Sequence, residues 1–201
     1  DVYKRQHYDS LFETVHTSHP VRCFCEDEDG NILIGTKGSG IKLLNPATKE
    51  LTDYLNESKG LISNSVYALR RNKANDIFIG TEGTGINILN AATGRLEKLE
   101  IPDKYPPFKA VYNIYFTNND SLLWVGTSGY GLIKINISRE QGRYHVKGFR
   151  QYNSSDKNIS LNNDVVYAIT SDPEDNMLWF GTRGGGLNCI NMKDNNIKSL
   201  E

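Results

Sequence analysis

The sequence carries no surplus of charge of either sign. Its 201 residues include 23 Lys and Arg against 24 Asp and Glu, which gives a formal net charge of -1 at pH 7. No basic run exceeds two residues, as at Arg70-Arg71. A general nucleic-acid-binding protein would show a basic surplus or a basic stripe. The composition therefore argues against a nucleic-acid partner.

Long apolar runs are also absent. No stretch approaches the roughly 18 apolar residues that a membrane-spanning helix needs, so we expect no membrane span in this chain. Residues 1–6 are polar and no apolar core follows them, so we expect no signal peptide either. If the protein is exported, its targeting segment lies outside this sequence.

Residues that carry chemistry are few and scattered. Among the four histidines, His16 and His19 lie three residues apart in an expected loop, and no carboxylate or cysteine completes a metal set by spacing. The acidic residues 26–31 fail the EF-hand spacing, because Cys25 and Thr36 stand where ligands are needed. No serine sits in a Gly-x-Ser-x-Gly motif. We therefore predict no catalytic residue, no metal site and no cofactor.

Cysteine is scarce, with three copies. Cys23 and Cys25 lie two apart in an expected strand, so they share one face and a bridge between them has poor geometry. Cys189 occupies an apolar strand position. We expect all three to be small buried side chains, and their number neither proves nor excludes an oxidising compartment.

The sequence contains one motif that occurs four times. The copies are ILIGTKGSGIKLLN (residues 32–45), IFIGTEGTGINILN (77–90), LWVGTSGYGLIKIN (123–136) and LWFGTRGGGLNCIN (178–191). Their Gly-Thr pairs begin at positions 35, 80, 126 and 181, so the steps are 45, 46 and 55 residues. Four copies at this period indicate a repeat architecture.

Each copy reads as four short strands. An apolar strand precedes Gly-Thr, the Gly-x-Gly fits a tight turn, and a second strand ends at Asn. A further strand lies upstream (residues 21–24, 66–69, 111–114 and 166–169) and a weaker one downstream (51–54, 95–99, 144–149 and 197–200). Four antiparallel strands at this spacing are typical of a β-propeller blade. A dinucleotide-binding loop is disfavoured, since it needs a third glycine three residues on and a helix opening there.

The most complete copies, the third and fourth, carry Val-Tyr-x-Ile, an Asp/Asn-rich turn, Leu-Trp-[Val/Phe]-Gly-Thr, Gly-x-Gly-Leu and Asn. This order resembles the two-component regulator propeller repeat over about residues 20–201. The repeat's tryptophan is present as Trp124 and Trp179 and is replaced by Leu33 and Phe78, which are also bulky and apolar. The resemblance implies the sensor domain of a Bacteroidetes-type hybrid histidine kinase, periplasmic and homodimeric in the full receptor.

The blades predicted from this alignment cover about residues 20–64, 65–109, 110–163 and 164–201. Residues 7–15 include an alternating stretch at 11–15, so residues 1–19 match the outer strand of a preceding blade and a linker. Because the fourth blade already has its outer strand, we predict an all-β segment of a larger propeller. A closed ring of four blades is the alternative. The longer last step predicts an exposed polar loop around residues 139–158.

A recognition site is expected on one face of the blades. The loop before the first strand and the turn between the second and third strands open on the same side of a blade. The four glycine turns share the same Gly and Thr residues but differ at the variable positions between them. Tyrosines at one strand position suit sugar stacking and hydrogen bonding, although packing between blades is the commoner role of such a repeated residue. The predicted ligand-binding residues are Tyr67, Tyr112, Tyr167, Lys37, Glu82, Tyr130 and Arg183.

By resemblance, the expected function is ligand sensing, with an oligosaccharide as ligand and a cytoplasmic histidine kinase as the output. Two other classes stay open. One is an interaction platform that binds no small molecule, which the absence of a kinase in the full gene would favour. The other is a propeller lyase, which His and Glu side chains converging at the channel mouth would favour.

Overall fold

The computed structural model describes residues 16–156, 161–172, 174 and 176–200. These residues form sixteen strands and one short 3-10 helix, Glu57–Lys59. The first two sheets contain β1 (Val21–Glu26), β2 (Ile32–Thr36), β3 (Ile41–Leu44) and β4 (Leu51–Leu55), then β5 (Val66–Arg71), β6 (Ile77–Thr81), β7 (Ile86–Leu89) and β8 (Leu96–Lys98). The other two contain β9 (Val111–Thr117), β10 (Leu122–Thr127), β11 (Leu132–Glu140) and β12 (Arg143–Tyr152), then β13 (Val166–Asp172), β14 (Met177–Thr182), β15 (Leu187–Asn191) and β16 (Ile197–Leu200). Within the described ranges, no helix could cross a membrane.

Each sheet is one blade with its strands in sequence order, and every pairing is antiparallel. The first strands of successive blades pack against one another, β1 on β5, β5 on β9 and β9 on β13. This confirms the predicted all-β class and its four-stranded blades. The exact blade boundaries stay a prediction, and the expected leading strand at residues 7–15 lies outside the described residues.

The core is divided into three clusters, one at each junction between neighbouring blades. Alternation along each second strand sends its apolar residues to two different junctions. In the third blade, Leu123 and Val125 face the second blade, whereas Trp124 faces the fourth, and all three are fully buried. The motif apolar-bulky-apolar therefore describes a strand that is buried on both faces by its neighbours.

The glycine of the Gly-Thr pair lies in close contact with the next blade at each of the three junctions. A Cβ built on Gly35, Gly80 or Gly126 would lie 2.8, 2.5 or 3.0 Å from the Cγ1 of the valine that begins the next blade. Distances of 3.0 Å and below leave no room for a side chain. Glycine is thus required at this position by the neighbouring blade, not by its own turn.

The threonine that follows closes the turn. The Thr127 hydroxyl donates to the carbonyl of Gly131 at 2.8 Å and accepts from the N–H of Tyr130 at 3.0 Å. Thr36 makes the same two bonds in the first blade. Both threonines are fully buried, so the hydroxyl satisfies turn groups that water cannot reach.

The third blade departs from the sequence prediction. Residues 139–152 do not form the exposed loop expected there, because β11 and β12 continue as a long hairpin. A bulge at Asn136/Ile137 lets the strand run past the usual turn. The hairpin turns at Gln141 and Gly142, both at positive φ (51° and 82°), as a two-residue type I′ turn requires.

This hairpin reaches back to the second blade. The Tyr144 ring meets Phe78 edge-on, with centroids 4.9 Å apart, and its hydroxyl donates to Asp76 Oδ2 at 2.7 Å. Arg139 Nε lies 3.2 Å from the same oxygen. The Asp76 side chain is fully buried, so the hairpin supplies the polar partners that a buried carboxylate needs.

Replacement of Thr127 by Val should destabilise the protein. The change keeps the side-chain shape but removes the hydroxyl. The Tyr130 N–H then loses its partner and the Gly131 carbonyl keeps only the longer bond from the Thr127 N–H at 3.3 Å, at a cost of about 1–3 kcal/mol. Urea unfolding measures this loss. Thr52→Val, at an exposed strand position, is the matched control and should change stability by less than about 0.5 kcal/mol. Equal effects of the two variants would contradict the turn-closing role.

Tyr144→Phe should lower stability and also change its pH dependence. Burial, together with the bond to Asp76, raises the pKa of Tyr144. A raised phenol pKa in the folded state gives a stability contribution that is present below the unfolded pKa near 10 and is lost as pH rises above it. Wild type should therefore lose more unfolding free energy than Tyr144→Phe between about pH 9 and 11. Parallel profiles would contradict this assignment, and Tyr105→Phe serves as control.

Candidate functional site

The same backbone irregularity recurs at the start of the first strand in all four blades. In the second blade Val66 pairs with Thr81 and Ala68 with Gly80, so Tyr67 is an extra residue without a partner. Equivalent register shifts flank Arg22, Tyr112 and Tyr167. A β-bulge re-aims the side chain that it carries. Here it lets the valine enter the junction between blades while the next residue turns away from that junction.

The bulges place three tyrosines in a row across the blades. Tyr67 meets Tyr112 edge-on at a centroid distance of 5.0 Å, and Tyr112 stacks on Tyr167 at 5.4 Å with an interplanar angle of 13°. The row is incompletely covered, since the end residue Tyr167 is 51% exposed. These rings therefore pack between blades and also present a surface to solvent.

A cavity of about 320 Å³ lies over this row and is lined by Arg22, Lys37, Tyr67, Tyr112 and Tyr167. Its size is within the range of ligand sites, which begins at about 300 Å³. Arg22 was not among the predicted residues, although it occupies the tyrosine position of the first copy. Its guanidinium carbon lies 6.0 Å from the Tyr67 ring centroid. Alignment of the four first strands places Arg22 at the tyrosine position, but a prediction based on aromatic residues does not include an arginine.

Three of the predicted residues do not line this cavity. Glu82 is exposed, and its negative charge contributes to the raised pKa of Tyr67. Arg183 is exposed at the fourth turn, where its N–H donates to Val165. The Tyr130 ring packs against the core cluster between the second and third blades. Four predicted residues thus meet at one cavity, and the binding role of all seven stays a prediction.

The site combines aromatic faces with positive charge. Partial burial raises the pKa of Tyr67, with a further contribution from the negative charge of Glu82, so this phenol is neutral and can donate or accept a hydrogen bond. Arg22 and Lys37 can pair with an anionic or polar group. Tyrosine faces can stack on an apolar face of a ligand while their hydroxyls bond to it.

Other cavities lie elsewhere on the blades. Two of about 420 Å³ are lined by residues such as Asn64 and Met192 respectively. One of about 120 Å³ lies at the opposite end of the blades, is lined by turn residues such as Asp27, and is well below the size of ordinary ligand sites. None of these cavities, nor the one over the tyrosines, brings a His and a Glu together, and the described residues contain no group of three potential metal ligands.

Comparison with known families gives one match. Residues 17–38, which include β1 and β2, match the family described as two component regulator propeller. The first blade therefore contains a match to this repeat. The resemblance drawn from the Gly-Thr motif is therefore confirmed, and the matched residues end inside the first Gly-x-Gly turn of the propeller. No curated protein matches the chain at a significant level.

Solved structures show the same arrangement of strands. The extracellular domain of a B. thetaiotaomicron protein described as a hybrid two component system matches with a TM-score of 0.71 and 23% identity, over 94% of this chain and 24% of that one. A second B. thetaiotaomicron extracellular domain, from a protein described as a one component system, matches with 0.69 and 18% identity over 93% and 26%. Virginiamycin B lyase from Staphylococcus aureus matches with 0.64 and 17% identity over 94% and 58%.

At these identities the similarity establishes the β-propeller fold and does not extend to activity. The chain spans about a quarter of the length of the two extracellular domains. Two extracellular domains and a lyase share the architecture, so the function of this propeller has to be argued from its own site.

Truncation of the central ring of the row should cost stability. Tyr112 contacts a ring on each side, and aromatic pairs contribute about 0.5–1.5 kcal/mol each beyond the area they bury. Tyr112→Ala should therefore lower the unfolding free energy by about 2–4 kcal/mol, in the range of large-to-small changes at partly buried sites. Tyr112→Phe keeps both ring contacts and should stay within about 0.5 kcal/mol of wild type. A large loss in the Phe variant would show that the hydroxyl, not the ring, holds the blades together.

Proposed function

We propose that this chain is part of the ligand-sensing ectodomain of a periplasmic hybrid two-component receptor, and that it binds an oligosaccharide. The match to the two component regulator propeller family and the similarity to two extracellular domains of B. thetaiotaomicron support this assignment. In the full receptor, a homodimer whose propeller contains further blades, ligand binding changes propeller packing and the change reaches a cytoplasmic histidine kinase.

The observation that carries the proposal is the row of bulge-directed tyrosines under a cavity lined by two cations. Nothing in the blade architecture requires aromatic residues at the bulge, since the first blade has Arg22 there and still forms the same pairing. Tyr167 is 51% exposed, so its ring can stack on the apolar face of a sugar, and the tyrosine hydroxyls offer the polar contacts that sugars need. Arg22 and Lys37 favour an oligosaccharide that carries an acidic or hydroxyl-rich end over the cavity.

Binding can be tested on the intact ectodomain with defined oligosaccharides, namely xylo-oligosaccharides, fructo-oligosaccharides and oligogalacturonides. We expect one class to raise the Tm, because a ligand that binds only the folded state stabilises it by mass action. Tyr167→Leu should weaken that binding about 10-fold or more, the loss expected for one stacking contact of about 1–2 kcal/mol. Calorimetric titration of wild type and variant measures the change.

The control separates ligand contact from packing. Tyr167→Leu removes one aromatic pair of a half-exposed ring, so it should cost no more than about 1.5 kcal/mol of stability, and urea unfolding of the variant measures this cost separately from affinity. Tyr105→Leu removes a tyrosine that stacks on Phe149 at 5.0 Å and does not line the cavity, and it should leave affinity unchanged. Unchanged affinity in Tyr167→Leu and in Arg22→Gln would refute the tyrosine row as the binding surface. Absence of binding by all three sugar classes would favour the interaction platform.

A further inference from the structure

One backbone hydrogen bond recurs beside the bulge in all four blades. The residue after Gly-Thr (Lys37, Glu82, Ser128 or Arg183) donates its N–H to the carbonyl immediately before the valine of the first strand, at 2.9–3.0 Å. The bulge residue lies two positions after that carbonyl. Each blade therefore presents two neighbouring side chains at the start of its first strand, one from the bulge and one from the glycine turn.

These pairs of side chains differ in charge from blade to blade. The second, third and fourth blades combine a tyrosine with Glu82, Ser128 and Arg183 respectively. The first blade combines Arg22 with Lys37. It alone places two charges of the same sign together, so positive charge is concentrated at one end of the row of tyrosines.

The two cations of the first blade have no counter-charge. Arg22 and Lys37 both line the cavity, and none of its five lining residues is acidic. Elsewhere cations are paired with carboxylates, as Arg139 is with Asp76. Among the residues that the structure describes, no Asp or Glu lies within 4.0 Å of the charged group of Arg22 or Lys37.

Water solvates these two charges while the cavity is empty, because both side chains are exposed. A ligand that covers them removes part of that water, and a charge taken out of water is costly unless it is paired. An anionic group on the ligand would supply the missing partner. A neutral ligand would leave two like charges covered and unpaired.

Glu82 gives the site a direction. Its carboxylate is exposed and does not line the cavity, but its negative charge contributes to the raised pKa of Tyr67. An anionic group is therefore attracted to the first blade and repelled beside the second. The uncharged part of the ligand would extend over the tyrosines toward Tyr167, whose ring is half exposed.

We propose that this cavity is selective for an acidic oligosaccharide, with Arg22 and Lys37 binding its anionic group and the tyrosines contacting the adjoining sugar rings. This inference rests on the sugar binding proposed above and narrows it to sugars that carry a carboxylate or a sulfate. A guanidinium forms charge-assisted hydrogen bonds with oxyanions of this kind, and the lysine adds a compact positive charge.

Calorimetric titration of the intact ectodomain with matched sugars tests the selectivity. One pair is oligogalacturonides and their methyl esters, and the other is sulfated galacto-oligosaccharides and their desulfated forms. We expect the acidic member of one pair to bind at least about 10-fold more tightly than its neutral partner, and that pair identifies the group as carboxylate or sulfate. Raising the salt concentration from about 0.05 to about 0.5 M should weaken the acidic sugar more than the neutral one, because salt screens exposed charges.

Charge variants test the residues. The double variant Arg22→Gln/Lys37→Gln replaces two exposed side chains, so it should leave the Tm unchanged. It should lower affinity for the acidic sugar at least about 10-fold and leave affinity for the neutral partner unchanged. Glu82→Gln should act in the opposite direction and raise affinity for the acidic sugar, because it removes a repelling charge.

Arg143→Gln is the matched control. Arg143 is an exposed cation that begins β12 and does not line the cavity, so its loss should change affinity for neither sugar. A loss in this variant as large as in the double variant would refute the role of Arg22 and Lys37. It would show that the overall charge of the protein attracts the sugar.

The outcomes separate this inference from the function on which it rests. Equal binding of the acidic and neutral members of both pairs, or tighter binding of the neutral members, would overturn the selectivity and leave sugar sensing intact. Absence of binding by all four sugars would overturn both.

Discussion

The rest of the structure depends on one steric constraint, the close approach of a valine from one blade to a glycine of the blade before it. Where Gly80 meets Val111, even a single methyl group would lie 2.5 Å from a valine carbon. This contact sets the distance between sheets, and the distance lets the alternating side chains of both sheets fill the junction at core density. The glycine of the Gly-Thr motif is thus required by contact with the adjacent blade, which explains why the motif recurs once in each blade.

The bulge that accompanies this contact separates the residue that packs between blades from the residue that faces the cavity. An ordinary strand would send Val66 and Tyr67 to opposite faces of the sheet, where both would belong to junctions. With one extra residue, the valine keeps its place beside the glycine and the tyrosine is released from the junction. Because only the valine is sterically required, the neighbouring position is free to vary, as Arg22 shows. A scaffold of this kind can change its ligand without changing its core.

The sequence predicted what is periodic and local. Strand positions, glycine turns and the family followed from four aligned copies, since every copy reports the same pattern. The bulge did not, because a register shift depends on the partner strand and the first strands contain no glycine to mark it. The length of the hairpin in the third blade also escaped prediction, although its second strand was expected at residues 144–149. Its polar residues are typical of a loop. The bond from Tyr144 to Asp76, 68 residues earlier in the chain, holds them in a strand pair, and the local sequence does not show this bond. Arg22 was visible in the alignment, but its residue type differs from the three tyrosines.

That hairpin has a mechanical consequence. A row of blades is a nearly one-dimensional stack in which each unit touches only its neighbours, and such a stack opens first at its weakest joint. The Asp76, Arg139 and Tyr144 contacts join the second and third blades through a buried carboxylate. Tyr152 and Lys134 bond to Asn195 across the next joint, and Arg71 donates to the carbonyl of Asp27 across the first joint. Each joint between the described blades is therefore tied by side-chain bonds as well as by its apolar core, so bending at any joint would have to break bonds of this kind.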